Sequence, residues 1–224
     1  MGEKIIDPVL RKFFDSLKVK DAKPVRKPVE TKEKTLHKDE PVKVPKKEKT
    51  RIESISVEAK RAIYGLPLND QYDVEGEFKK GKLYRHLLVS KKAEDYNRVE
   101  DTAKLFAEKV GDCKMNPTIH KSETEIRSKI YPGIESTANP DLDVKGVGFV
   151  DVKSPKDTGN VVRNAVHASH SQGSIACITD HRMNVTRKEM DSLTSAVFRD
   201  NNYKHDTLYW VVKGKLYEYK RPKE

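Results

Sequence analysis

Two short stretches carry the residues whose types and spacing could do chemistry. Asp141-Leu142-Asp143-Val144-Lys145 and Phe149-Val150-Asp151-Val152-Lys153 flank Gly146-Val147-Gly148, the pattern of a β-hairpin. Side chains alternate between the faces of a strand, so Asp151 and Lys153 share one face and Val150 and Val152 take the other. Asp141 and Asp143 likewise share a face opposite Leu142 and Val144. Depending on the pairing register, two carboxylates and an ammonium converge on one side of the sheet. Two carboxylates plus waters suit Mg²⁺, which takes oxygen ligands and keeps much of its hydration. Such an ion lowers the pKa of bound water and neutralises charge on a phosphate. Lys153 beside it would orient the attacking water or stabilise developing negative charge. In outline this is hydrolysis of a phosphodiester. The same alternation also describes a solvated hairpin face with no site on it.

A second group lies on the segment Asn160–Gln172, which reads as a helix with Val161, Ala165 and Ala168 on one side. His167 shares a face with Arg163, Asn164 and Ser171 at i+3 or i+4 spacing. Beside a site, Arg163 and His167 would contact substrate phosphate or act in acid–base steps. A solvated helix face is the alternative. His120 and His181 fall in polar loops without metal-ligand spacing. No P-loop, GxSxG, HExxH or EF-hand pattern is present.

The elements that must position these residues follow from periodicity. Lys82–Val89 is a strand, and a helix spans about Glu94–Val110, with Tyr96, Val99, Ala103, Phe106 and Val110 as its apolar stripe and Gly111 as its stop. A short strand at Cys113–Met115 leads into a polar loop containing Tyr131-Pro132-Gly133. After the hairpin and the Asn160–Gln172 helix, Ser174–Thr179 is a buried strand. Thr186-Arg187-Lys188-Glu189 is a capping box opening a helix with Met190, Leu193 and Val197 inward. Thr207–Val212 and Lys215–Tyr219, joined at Lys213-Gly214, form a last hairpin whose aromatic residues read as packing rather than base stacking. The order α-β-β-β-α-β, then a helix and a hairpin, predicts an α/β mixed sheet flanked by helices. Residues 53–80 receive no role from the sequence.

Composition divides the 224 residues. The chain is 36% charged and 35% hydrophobic with a formal net charge of +10, and its mean hydropathy is -0.80. Residues 1–51 hold 16 Lys and Arg against 9 Asp and Glu, so most of the excess charge sits there. Asp7 and Pro8 open a short helix within residues 1–18, with Leu10, Phe13, Phe14 and Leu17 as one apolar stripe. That stripe would dock in a partner's groove or fold back on the chain's own domain. Residues 19–51 repeat Pro-Val-Lys-like units and read as a disordered, Pro/Lys-rich basic linker that can graze phosphates. The folded domain is 52–224, with its core at about 80–220. No run approaches the roughly 18–20 apolar residues of a membrane span, and no signal peptide follows Met1. Cys113 and Cys177 form no CxxC pair and read as buried apolar residues of a reducing compartment, a single disulfide being the alternative. An integral membrane protein and a secreted disulfide miniprotein are thereby excluded.

Asn139-Pro140-Asp141-Leu142, a turn, then Phe149-Val150-Asp151-Val152-Lys153-Ser154 resembles the PD-(D/E)XK motif of restriction-endonuclease-like nucleases. From about Leu87 to Asp180 the chain is similar to the C-terminal nuclease domains of contact-dependent inhibition toxins and to related phage and mobile-element proteins. The narrower likeness lies in Glu94-Asp95-Tyr96, the Ala103–Glu108 helix, the Pro-Asp-Leu hairpin and the helix ending Ser171-Gln172. The resemblance implies a restriction-endonuclease-like fold and metal-dependent cleavage of RNA, tRNA in the toxin-like case, or of DNA. It makes Asp141 and Asp151 ligands of Mg²⁺ or Mn²⁺ and Lys153 the residue that positions water. It adds a Glu from the first core helix, Glu108 in preference to Glu100, and places Gln172 near substrate or metal. It implies nucleic acid and an inhibitor or immunity protein as partners, beside whatever docks the Leu10–Leu17 helix. It sets the protein in the cytoplasm of a bacterial host cell or on a phage virion. Inhibition toxins are attached to a large secreted carrier; this sequence begins with its own Met, a short helix and a linker, a departure that bears on the toxin role and not on the nuclease fold. The rival expectation is a non-catalytic nucleic-acid-binding or virion-associated protein on the same scaffold.

Overall fold

Strand-forming segments that follow one another in sequence also lie side by side in space. The structure, a computed structural model, describes residues 55–134 and 137–223. The expected helix of residues 1–18 and the linker of 19–51 lie outside the described residues. Eight strands form one mixed sheet in the order β1 to β8: Tyr72–Glu77, Lys82–His86, Cys113–Met115, Leu142–Val144, Gly148–Lys153, Ile175–Thr179, Thr207–Val212 and Lys215–Lys220. Helices α1 (Val57–Tyr64), α2 (Tyr96–Lys109), α3 (Thr124–Ile130), α4 (Asn160–Ser171) and α5 (Arg187–Phe198) connect and flank it. Strands β2–β3 and β5–β6–β7 pair parallel, across α2, α4 and α5 respectively, while β1–β2, β3–β4–β5 and β7–β8 pair antiparallel. Among the described residues no helix is long and apolar enough to cross a membrane.

The alternation of each strand builds two cores. Leu83, Cys113, Leu142, Val150, Val152 and Cys177 turn to one face and pack on Tyr96, Val99, Ala103 and Phe106 of α2. Phe106 meets Tyr209 edge to face at 4.9 Å, and truncating so large a buried ring costs about 3–5 kcal/mol. Ala176, Ile178, Leu208 and Trp210 turn to the other face, under Val162 and Val166 of α4 and Met190 and Val197 of α5. The expected capping box is formed: Thr186 accepts from the Glu189 N–H, and Glu189 accepts from the Thr186 N–H. The β7–β8 turn needs positive φ at two residues, met by Lys213 (50°) and Gly214 (70°). Trp210 is fully buried with its Nε1–H on Thr194 Oγ1 (2.9 Å), so the last hairpin does pack. Both cysteines are free and buried.

Two segments hold structure that periodicity does not show. Within residues 55–80, to which the sequence assigns no role, α1, a 3₁₀ turn at Leu68–Gln71 and β1 extend the sheet by an edge strand paired to β2. The polar loop before Tyr131 contains a helix, α3, whose Ile130 joins Ile119, Tyr131 and Phe149 in a third small core.

Candidate functional site

The hairpin register decides which acids meet. Leu142 pairs with Val150 and Asp143 with Phe149, which puts Asp141, just beyond the last paired residues, beside Asp151. The Val152 N–H donates to Asp141 Oδ2 at 2.7 Å, so this carboxylate continues the ladder where β4 has ended. Asp151 is 4% exposed. Its Oδ2 accepts from Ser169 Oγ (2.9 Å) and lies 2.7 Å from Lys153 Nζ. Asp141, Asp151 and Lys153 therefore come together on one face, held from behind by α4.

A polar frame delivers Asp141 to this place. Asn139 Oδ1 accepts from the Ile119 N–H and from Arg127 Nη1, both at 2.9 Å. Arg127, buried in α3, also donates to the carbonyls of Ile119 and Ala138. Asn116 donates its side-chain amide to Pro140 O (3.2 Å) and its N–H to Asp141 O (2.9 Å), while its Oδ1 accepts from Tyr72 (3.2 Å). Each buried polar group is satisfied by the loop it fixes, which is how an irregular segment is held to one conformation. Sequence reasoning missed Asn116, Arg127, Asn139 and Ser169 as positioning residues. Asn139 had a signal, its place before Pro140-Asp141; an arginine on a short polar helix has none.

Burial first, and then the neighbouring charge of Asp151, push the Asp141 carboxyl well above its usual range, to about 7; the Val152 N–H and Lys153 oppose this. Two carboxylates held in contact by surrounding structure suit a dication with retained waters, so Asp141 and Asp151 fit a Mg²⁺ or Mn²⁺. Among the described residues no third His, Cys, Asp or Glu joins them in a ligand cluster.

The other expected residues lie elsewhere. Glu108 accepts from the Lys79 N–H near the β1–β2 turn. That is the far end of α2 from Tyr96, which shares a cleft with Asp141; twelve residues of helix separate the two ends by about 18 Å. Glu100 is bonded to Tyr96 and Lys104. Asp143 shares the face but stands beside Lys114, with burial raising its pKa. Arg163 and His167 do share a side of α4, yet both turn to Asp200 Oδ2, at 3.4 and 3.0 Å, fastening α4 to the end of α5. Gln172 closes α4, its N–H on Ser169 O, and the side chain shown reaching Asp151 from this helix is that of Ser169.

A cleft of about 480 Å³ opens from Asp141, lined by Lys60, Arg61 and Tyr64 of α1, Tyr96 of α2, and Asn116 and His120. No protein-family model matches the chain, and neither a curated protein nor a solved structure matches it.

Proposed function

We propose that the chain is a metal-dependent nuclease that hydrolyses phosphodiester bonds of RNA or DNA, built on a restriction-endonuclease-like core. The observation that carries this reading is the convergence of Asp141, Asp151 and Lys153 across the β4–β5 hairpin. The run α2-β3-β4-β5-α4-β6, with a helix on each face of the sheet, is the arrangement that the Pro-Asp…Asp-x-Lys resemblance calls for, with α3 inserted between β3 and β4. Asp141 and Asp151 would hold Mg²⁺ or Mn²⁺, which supplies charge neutralisation at the phosphate and a more acidic bound water. Lys153 keeps one ammonium among these carboxylates, in position to orient a nucleophilic water or offset the charge that develops on the phosphoryl oxygens. Ser169 positions Asp151, and the Arg127–Asn139 frame positions Asp141.

The test is cleavage of plasmid DNA, total RNA and tRNA with Mg²⁺ or Mn²⁺, beside Asp151→Ala and Lys153→Ala. Cutting by the wild type alone is expected; equal cutting by either variant overturns the assignment. One observation favours the rival reading of a non-catalytic nucleic-acid-binding scaffold: no third acidic or histidine ligand joins the pair among the described residues. On that reading neither metal raises Tm, whereas a site that binds the ion stabilises the fold by mass action.

A further inference from the structure

Helix α1 turns a cationic stripe toward the cleft beside Asp141. Val57, Lys60, Arg61 and Tyr64 recur at i, i+3, i+4 and i+7, and all four line that cleft. A stripe at this spacing ordinarily buries apolar residues against a neighbour; here its middle is two cations. Both are exposed, and among the described residues neither is held in a salt bridge. Tyr64 is half-buried, its ring 5.8 Å from that of His86, and it lines the cleft. Of the acids around the cleft, Asp95 is paired with Arg98 at 3.5 Å, and Glu123 and Asp141 line it as well. An aromatic ring and two exposed cations share the cleft with the Asp141 carboxylate.

We propose that this cleft binds one unpaired nucleotide of a single-stranded or looped nucleic acid, Tyr64 stacking on its base and Lys60 and Arg61 holding the flanking phosphates. Sequence-tolerant binders of single strands combine these two elements, cations along the backbone and aromatic faces under the bases. The volume, about 480 Å³, is that of a pocket for one small-molecule-sized unit and not of a duplex. A base could enter from a duplex only after being unstacked and unpaired. The proposal rests on the nuclease reading for one point alone, that the phosphate next to this nucleotide is the one presented to Asp141 and Asp151.

The test reads binding without hydrolysis. Fluorescence anisotropy of the full wild-type chain in excess EDTA is measured with a short labelled RNA and its DNA counterpart, each single-stranded and annealed to its complement. Single strands are expected to bind about tenfold tighter than duplex at near-physiological salt. The double variant Lys60→Ala/Arg61→Ala should weaken single-strand binding about tenfold and flatten the dependence of log K on log salt by about 1 to 2. Tyr64→Leu should weaken it by about tenfold and Tyr64→Phe should restore it, because stacking needs the ring and not the hydroxyl. The RNA and DNA arms report which sugar is preferred. The basic segment 1–51 is common to every variant, so differences among them report the cleft. Duplex bound as tightly as single strand, or affinities unmoved by the α1 substitutions, overturns the proposal. If these shifts are seen while no substrate is ever cut, the nuclease reading fails and the cleft stands; cutting with unmoved affinities does the reverse.

Discussion

The Asp141–Asp151 pair and the Asp200 cluster are two ways of placing carboxylates among cations. Asp200 lies at the end of α5, where the Asn202 N–H, and then His167 and Arg163, hold its carboxyl below the usual range. These partners outweigh the opposing effect of burial, and the contact ties two helices together. At the hairpin, burial and a second carboxylate push Asp141 the other way, and one ammonium serves both acids. Hydrogen bonds and opposite charge lower a carboxylate pKa, whereas burial and a neighbouring carboxylate raise it, and the two regions divide along that line.

The largest effect that would sharpen this contrast is on activity. Asp151→Ala should reduce metal-dependent cleavage by at least about a thousandfold, while Asp200→Asn leaves it near wild type, as gel assays with matched circular dichroism would show. Comparable losses in both would erase the distinction.

The next effect is on stability and its sign. Asp141, raised from 3.8 to about 7, keeps its proton in the folded chain where the unfolded chain has released it. The folded state therefore binds more protons between these values, and stability falls as pH rises through the window, by up to about 1.4 kcal/mol per pH unit for one group. Asp141→Asn should melt higher than wild type at pH 8, with the gain vanishing toward pH 4. His86 works in the opposite sense. Burial lowers it from 6.5 to about 4, so its contribution to stability is lost as pH falls through that range. Removing Asp141 should thus leave a melting curve that rises more steeply from pH 4 to 6.5. A variant that melts lower than wild type at pH 8 would show that the pair is not held under repulsion.

Thr186→Ala provides a control remote from both regions. It removes the hydroxyl of the α5 capping box and should cost about 1 kcal/mol in urea denaturation at neutral pH, with cleavage unchanged. The smallest effect belongs to Asp200→Asn, a slight drop in Tm that added salt abolishes in the wild type, because its partners Arg163 and His167 reach solvent.

Much of the frame was legible because it is periodic. The α2 stripe, the β4–β5 alternation, the α5 capping box and the Lys213-Gly214 turn are local patterns, and each formed where the pattern lay. Strand β1 escaped because Tyr72-Asp73-Val74-Glu75-Gly76-Glu77 is an edge strand, held by pairing with β2 and without a fully buried residue, so no alternating apolar face leaves a signature. Helix α3 is seven residues long with Ile126 and Ile130 as its only apolar side chains, too few turns for a period to register. The resemblance prefers Glu108 to Glu100, yet packing puts the Glu108 end of α2 away from Asp141, which no pattern on the helix itself encodes.

By itself the sequence determined that Asp151 and Lys153 share a face and that a second acid precedes the hairpin, because alternation follows from the covalent geometry of a strand. Alternation alone leaves Asp141 and Asp143 open and the motif resemblance points to Asp141, but only the tertiary structure puts Asp141 beside Asp151, since register depends on pairing between strands. Only there do Ser169, Arg127 and Asn139 acquire roles, because residues 10 to 20 positions apart meet through packing that no local period encodes.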